Sequence, residues 1–262
     1  MPHIEPGWRS VLALAVALSI AAVLARRTRW GVACREAAVV CLLYDGWIGI
    51  GTITRPHVDG ALERGRSLFA FEQDLHLPSE ASVQHLVLPH PWLVHAVDAY
   101  YAYGHLNVIG LALLWCWLRH RDAYPAMRLQ LIVLTVVGEA IQVYAVAPPR
   151  LLPDLGFVDL ALQYGESVYG DYGSGLTSQL LAMPSLHVGW AALVAWTVWR
   201  QASGWWRWVG VTHLVLMTLA VVATANHWWM DGFVAMGLLA VIVAAPTVVK
   251  RARYARAVPA QA

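Results

Sequence analysis

Hydrophobic residues are gathered into seven runs along this chain, separated by shorter polar segments. Each run approaches the ~20 residues that a helix needs to cross the hydrocarbon core of a bilayer. We therefore expect an all-α fold, a polytopic membrane bundle of about seven spans. The runs cover residues 8–25, 36–53, 98–118, 129–146, 184–199, 206–225 and 230–249.

The composition agrees with a membrane location. Hydrophobic residues make up 59% of the chain and charged residues only 13%, whereas a soluble domain carries about 25% charge. Many of the fourteen tryptophans lie near the ends of the runs, as in the aromatic belts of membrane interfaces. The net charge of +2 indicates little about partners, and we expect no nucleic acid among them.

The runs divide the chain into four parts. Residues 1–53 hold two transmembrane spans, and residues 54–97 form a mixed segment that we interpret as amphipathic helices at the membrane surface. Residues 98–249 carry the remaining spans, which form a six-helix core together with the second span, so that the first is an extra N-terminal helix. Residues 250–262 are a basic tail.

Arginines are distributed unevenly over the loops. One alternate set of loops holds Arg26, Arg27 and Arg29 and ends with the basic tail, while the other holds Arg150 and most of the acids. Basic loops stay in the cytoplasm, so we expect the N-terminus outside and the C-terminus in the cytoplasm. An Ala, Val and Arg-rich composition with one lysine, Lys250, favours a bacterial plasma membrane.

Two polar patches interrupt the apolar runs. The first is Ala182–His187, with the sequence Ala-Met-Pro-Ser-Leu-His, and the second is Thr224–Asp231, with the sequence Thr-Ala-Asn-His-Trp-Trp-Met-Asp. The predicted topology places both patches and Arg150 at the same, extracytoplasmic face. One shared site is the simplest explanation of that agreement.

Each part of this constellation has a structural and a chemical interpretation. His227 and Asp231 are four residues apart, so they share a helix face, either as a packing pair or as an imidazole oriented by a carboxylate. Ser185 is placed to cap a helix start, where free N–H groups also bind anions. Arg150 is either a cation reaching for the interface or a fork for phosphate oxygens.

Together these residues suit phosphoryl transfer. A guanidinium and helix N–H groups neutralise phosphoryl oxygens, one imidazole attacks phosphorus, and the other, His187 or His227, donates a proton to the leaving oxygen. Neither an Asp-rich metal motif nor a His-Glu-x-x-His motif occurs in the sequence. We therefore expect no metal and no other cofactor.

Three motifs resemble signatures of the type 2 phosphatidic-acid phosphatase superfamily. They are Pro148-Pro-Arg150, Pro184-Ser-Leu-His187 and His227-x-x-x-Asp231. With Tyr100-Tyr-Ala-Tyr-Gly-His105 they are closer to the branch of inositol phosphorylceramide synthases and their bacterial relatives. The resemblance covers roughly residues 72–249.

The resemblance implies a role for each matching residue. His227 resembles the nucleophile that forms a phosphohistidine, Asp231 the residue that orients it, and His187 the general acid. Arg150 and Ser185 resemble ligands of the phosphate oxygens.

This chain also departs from the superfamily pattern. Valine occupies positions 143 and 221, where basic residues are usual, and Leu151 occupies a position where proline is common. We expect other polar groups to compensate; the candidates are Asn226, Thr224, Arg55, Arg64 and Arg66.

Other polar residues are candidates for accessory roles. His105 lies about two helical turns from the predicted outer face and can reach the site. Glu72 and Glu80 are interpreted either as contacts for a polyol acceptor or as a solvated face. Asp45 and Glu139 lie inside predicted spans, where charged groups are costly, and we interpret both as buried core residues.

We therefore expect a metal-independent lipid-phosphate phosphatase or phosphotransferase that works through a phosphohistidine at the extracytoplasmic face. Its donor would be a lipid phosphate, a prenyl phosphate or a lipid phosphodiester, and its acceptor water or a polyol such as inositol. An enzyme that ionises a prenyl diphosphate has less support because the chain lacks an aspartate cluster. A non-catalytic lipid-phosphate binder or transporter is the alternative of another class.

Overall fold

The computed structural model describes residues 8–54, 59–160, 163 and 178–257. Within these residues the fold is all-helical, as predicted. The nearest approach to a sheet among them is a single parallel bridge between Val146 and Leu181.

The N-terminal part is a hairpin of two helices. Helices α1 (Trp8–Leu24) and α2 (Arg29–Thr54) pack on each other, and α2 also packs on α7 (Tyr124–Gln142). The turn between α1 and α2 is tight, since a Cβ at Gly31 would lie 2.2 Å from the Ala25 carbonyl oxygen. Only glycine fits that approach.

Two short helices, α3 (Ala61–Asp74) and α4 (Glu80–Val87), form the segment predicted to lie at the membrane surface. They precede α5 (Pro91–Ala99), a π-helical turn (Tyr100–Gly104) and α6 (His105–Arg119), which together form one helical rod. This rod begins at Pro91, before the predicted start of the span at residue 98, because proline suits the first helical turn.

Helix α8 (Leu186–Gln201) lies at the centre of the bundle. It packs against α6, α7, α9 (Arg207–Ala223) and α10 (Trp229–Ala257). Gly138 of α7 allows a close approach, because a Cβ there would lie 2.6 Å from Leu186 Cδ2. The central core joins Leu134 of α7 and Leu193 of α8 to neighbouring apolar residues.

Within the part of the chain that the structure describes, four helical stretches are long and apolar enough to cross a membrane, which is consistent with an integral membrane protein. They are residues 91–119, 124–142, 204–223 and 229–246. The layout of six core spans plus one is not confirmed, since α8 has only 16 residues. At 1.5 Å per residue it is about 24 Å long, shorter than the ~30 Å core.

Helix α7 ends at Gln142, earlier than the predicted span end at residue 146. Glu139 therefore lies one turn before the end of the helix, and the chain between Glu139 and Arg150 is not one continuous helix. It is buried, as predicted, and faces α2, where a Cβ at Gly46 would lie 3.3 Å from Glu139 Oε2. Asp45 is half-buried.

Extended segments bring the loops of α7 and α8 together. The Val146 N–H donates to the Leu180 carbonyl, and the Ala182 N–H donates to the Val146 carbonyl. The Gln142 side-chain amide donates to the carbonyls of Leu181 and Pro184, at 3.3 and 3.0 Å. These bonds fix the chain just before α8.

Candidate active site

Both polar patches and Arg150 meet where α8 and α10 begin. The Arg150 N–H donates to the Ala225 carbonyl at 2.9 Å, and the Ser185 N–H donates to the Asp231 carbonyl at 3.1 Å. Two main-chain bonds thus join three segments that are distant in sequence. The structure brings together the site residues predicted there: Arg150, Ser185, His187, Asn226, His227 and Asp231.

A strained turn sets the position of the second patch. Ala225 has φ of +54°, a conformation that non-glycine residues rarely adopt. This turn reverses the chain after α9, so that the N–H groups of Asn226 and His227 both donate to the Val221 carbonyl. Strain of this kind is frequent at functional sites.

His227 is held through its Nδ1 atom. Nδ1 lies 2.8 Å from the Ala182 carbonyl oxygen and 3.3 Å from Asp231 Oδ2. A carbonyl oxygen only accepts, so Nδ1 must carry the hydrogen. In the neutral ring, the lone pair then lies on Nε2, as a nucleophile requires.

Asp231 lies in the first turn of α10 and is fully buried. Its Oδ2 atom accepts from the Trp228 N–H at 2.9 Å, as well as facing His227. The two side chains meet as the spacing of four predicts, although His227 itself lies two residues before the helix begins at Trp229. Asp231 therefore both caps the helix and orients the imidazole.

Three imidazoles follow one another across the site. The His187 ring centroid is 5.6 Å from that of His227 and 4.1 Å from that of His105. Tyr101 stacks on His187 at 4.5 Å. The His105 Nδ1 donates to the Tyr101 carbonyl at 3.0 Å, by the same reasoning as for His227. The structure thus places His105 beside His187, within the reach that its position predicted.

Ser185 is the N-cap of α8. Its hydroxyl accepts from the Val188 N–H at 3.4 Å, and its backbone is extended. The capping role predicted from Pro184 and Ser185 is therefore present. His187, in the first turn, is carried at the helix end where N–H groups and the dipole favour an anion.

Arg150 is buried and bound by three side chains. Its Nε donates to Asn226 Oδ1 at 2.9 Å, and its Nη1 donates to Asp159 Oδ2 at 2.9 Å and to Gln179 Oε1 at 3.3 Å. The guanidinium is therefore fixed next to the residue that precedes His227. Asp159 brings a carboxylate into the same pocket, which reduces its positive charge.

The candidates for the missing cations have other partners. Arg64 donates to the carbonyls of Ala145 and Asp59, and Arg66 is paired with Asp154. The Thr224 hydroxyl donates to carbonyls of its own helix. Arg55 lies outside the described residues. Val221 is buried in an apolar cluster with Tyr101 and Val188, so the structure offers a cation no place there.

Glu72 and Glu80 face the start of α10. The Met230 N–H donates to Glu72 Oε1 at 2.7 Å, and the Trp229 N–H donates to Glu80 Oε1 at 3.3 Å. Both side chains are buried, so the interpretation as a solvated face is wrong. Their bonds to backbone amides favour a positioning role over contact with a polyol.

Several groups of the site were not foreseen. Asp159 and Gln179 bind Arg150, Tyr101 stacks on His187, and the Ala182 carbonyl fixes His227. Asp159 was one acid among several in its loop, and nothing in the spacing distinguishes it. A backbone carbonyl has no sequence signal at all.

The described residues contain no group of three or more His, Cys, Asp or Glu arranged to hold a metal ion. A fixed imidazole pair, a carboxylate and a buried guanidinium are typical of sites that bind and transfer phosphoryl groups. The chain belongs to the PAP2 superfamily, whose family model matches residues 66–245. This membership suggests phosphatase or phosphotransferase activity.

No curated protein and no solved structure matches this chain significantly. The match is to the superfamily, and the closer likeness to inositol phosphorylceramide synthases stays a prediction.

Proposed function

We propose that this protein is an integral membrane lipid-phosphate phosphatase or phosphotransferase that works through a phosphohistidine on His227, without a metal, at the extracytoplasmic face. The observation that carries the proposal is the bond between His227 Nδ1 and the Ala182 carbonyl. It fixes the hydrogen on Nδ1 and leaves Nε2 as the nucleophilic atom.

In the first step, His227 Nε2 attacks the phosphorus of the donor. A P–N bond forms while the bond to the lipid alcohol breaks, and His187 gives its proton to the departing oxygen. Arg150 and the N-terminus of α8 bind the phosphoryl oxygens, and Asp231 stabilises the positive charge that develops on His227.

In the second step, an oxygen nucleophile attacks the phosphorus of phospho-His227. His187, now neutral, takes the proton of that nucleophile, and the P–N bond breaks. With water the product is a free phosphate, and the protein is a phosphatase. With an alcohol the phosphate or phosphorylated head group is transferred.

Transfer to an alcohol is favoured by the segment that covers the site. A Cβ at Gly65 of α3 would lie 2.8 Å from the Ala147 carbonyl oxygen, and Phe69 lies 5.9 Å from Trp228 between ring centroids. Helix α3 therefore packs closely on both loops that carry Arg150 and His227. Exclusion of water from such a site favours an alcohol acceptor.

The test is trapping of the intermediate. Purified protein in detergent with EDTA is incubated with phosphorus-labelled lipid phosphates, prenyl phosphates and phosphodiesters, with and without inositol. We expect an acid-labile, base-stable label on the protein that is absent from His227→Ala. His85→Ala, an exposed histidine on α4, is the matched control and should keep the label.

Product analysis separates the alternatives. Free phosphate indicates a phosphatase, and a new phosphorylated polyol formed only with the acceptor indicates a transferase. Binding of labelled lipid without label transfer or turnover, equal in wild type and His227→Ala, would contradict catalysis and favour a lipid-phosphate binder or transporter.

A further inference from the structure

The start of α10 is held by carboxyl groups from three elements. Three successive amides, those of Trp228, Trp229 and Met230, donate to Asp231, Glu80 and Glu72 respectively. Amides of a helix's first turn have no partner within the helix. Asp231 serves one of them locally, while α3 and α4 each supply a side chain for another.

Glu72 and Glu80 are a buried pair. Their exposed fractions are 1% and 0%, and each carboxyl uses its Oε1 atom to accept from an amide at the start of α10. Among the described residues, Glu72 Oε2 and Glu80 Oε2 have no hydrogen-bond partner. Two carboxylates cannot donate to each other, so a proton shared between them would supply the donor that both oxygens lack.

The charge around Glu72 explains which group holds that proton. Burial, the hydrogen bond with Glu80 and the charges of Glu80 on α4 and Asp231 on α10 raise the pKa of Glu72 to about 9, although the bond from the Met230 N–H opposes this. With this pKa Glu72 carries the proton at neutral pH, and its hydroxyl can donate to Glu80.

The amides bound by this pair lie two and three residues after His227. His227 is two residues before Trp229, and Trp228 between them is fully buried, with its indole N–H donating to the Ala147 carbonyl at 2.9 Å. The indole N–H of Trp229 donates to the Pro78 carbonyl at 2.7 Å. Movement of α3 and α4 would therefore move the backbone that carries His227.

We infer that Glu72 and Glu80 form a proton-sharing carboxyl clamp that docks α3 and α4 on the start of α10 and so positions His227 for attack. Both are positioning residues that do not touch the phosphate. The inference rests on the proposed function for its effect on turnover, but the clamp itself is a structural device.

Loss of the shared proton should open the clamp. Glu72 would then be an anion beside Glu80 and Asp231, buried and repelled by both. We expect kcat to fall as the pH rises towards 9, with little change in KM, because the imidazole is displaced while the phosphate ligands remain. A displacement near 1 Å can lower a rate by about 100-fold.

The activity test compares Glu72→Gln with Glu72→Ala across pH 6–10. Glutamine keeps an oxygen for the Met230 amide and a donor for Glu80. The kcat of Glu72→Gln should therefore equal that of wild type at pH 7 and should not fall as the pH rises towards 9. Glu72→Ala should lower kcat by about 10- to 100-fold at unchanged KM. Glu63→Gln, an exposed glutamate of the same helix, should behave as wild type.

A second measurement does not depend on turnover. Hydrogen exchange of a peptide covering residues 228–232 should be slow in wild type and Glu72→Gln at pH 7 and faster in Glu72→Ala. If no substrate reacts but this pattern appears, the proposed function fails and the clamp stands. If Glu72→Ala does not fold, the test of the clamp is whether kcat of Glu72→Gln stays constant as the pH rises towards 9.

Equal kcat and equal exchange in wild type and Glu72→Ala would overturn the clamp. A loss of kcat in Glu72→Gln as large as in Glu72→Ala would overturn the shared proton. Either result leaves the phosphohistidine proposal to be judged on His227→Ala alone.

Discussion

Two arginine–aspartate pairs involve the loop after α7, one within the loop and one between the loop and α3, and they differ in burial. Arg150 and Asp159 are 3% and 11% exposed, with 2.9 Å between Nη1 and Oδ2. Arg66 and Asp154 are 47% and 53% exposed and make a bidentate pair. The two aspartates are only five residues apart in the chain.

The exposed and the buried ion pair differ in their effect on stability. An exposed pair is solvated in both the folded and the unfolded chain, so it contributes little to stability. A buried pair has lost its water, so removal of one partner leaves a charge that costs about 3–5 kcal/mol. Because Arg150 is buried, we expect its removal both to destabilise the fold and to remove positive charge from the candidate site.

The largest effect is expected from Arg150→Lys. Lysine keeps the charge but cannot bind Asn226, Asp159 and Gln179 with one planar group. We expect kcat/KM to fall by about 100-fold or more in the phosphate-release assay, whereas Arg66→Lys should stay near wild type. An equal fall of kcat/KM in both variants would show that burial does not distinguish the two pairs.

Asp159→Asn should change selectivity. The asparagine still accepts from Arg150 but removes a negative charge from the pocket, so binding of a dianion improves relative to a monoanion. We expect kcat/KM for lipid phosphomonoesters to rise relative to phosphodiesters by roughly tenfold. A ratio that does not move in competition assays would show that the Asp159 charge is not felt by the substrate.

Buried and exposed acids should also differ in the sign of their pH effect. The pKa of Glu72 is raised to about 9, above its unfolded value, so its contribution to stability is present at low pH and lost as the pH rises towards 9. Arg66 lowers the pKa of Asp154. The contribution of Asp154 to stability is therefore present at neutral pH and is lost as the pH falls through this lowered pKa.

Glu72→Gln should remove the loss of stability at alkaline pH, because glutamine does not ionise. Between pH 6 and 9, the thermal midpoint of wild type should fall relative to that of Glu72→Gln by roughly 5 °C, measured by tryptophan fluorescence in detergent. Parallel midpoints of the two proteins would indicate that Glu72 carries the same charge folded and unfolded.

The smallest effect is expected from Arg66→Ala. Its partner Asp154 is exposed and the pair is screened by solvent, so we expect an unchanged thermal midpoint of unfolding and turnover within twofold of wild type. A loss of activity comparable to that of Arg150→Lys would mean that the exposed pair positions the loop after all.

Much of the fold followed from local signals. Serine at the start of α8 and the apolar runs predicted helices that the structure contains. The third span was predicted to start at residue 98, whereas the helical rod begins at Pro91. The end of α7 was missed because Val143–Val146 is as apolar as the helix before it. These residues leave the helix because Val146 pairs with Leu180 and Leu181, which lie far away in sequence.

The sequence by itself determined an all-helical, apolar chain, the motifs around Arg150, His187 and His227, and the pairing of His227 with Asp231 through their spacing. These properties depend on residue type and on helical period, which are local. Only the tertiary structure decided the partners of Arg150, the tautomer of His227 and the clamp of Glu72 and Glu80. Each depends on groups 9 to 158 residues apart, including backbone atoms that every residue carries, so no pattern along the chain distinguishes them.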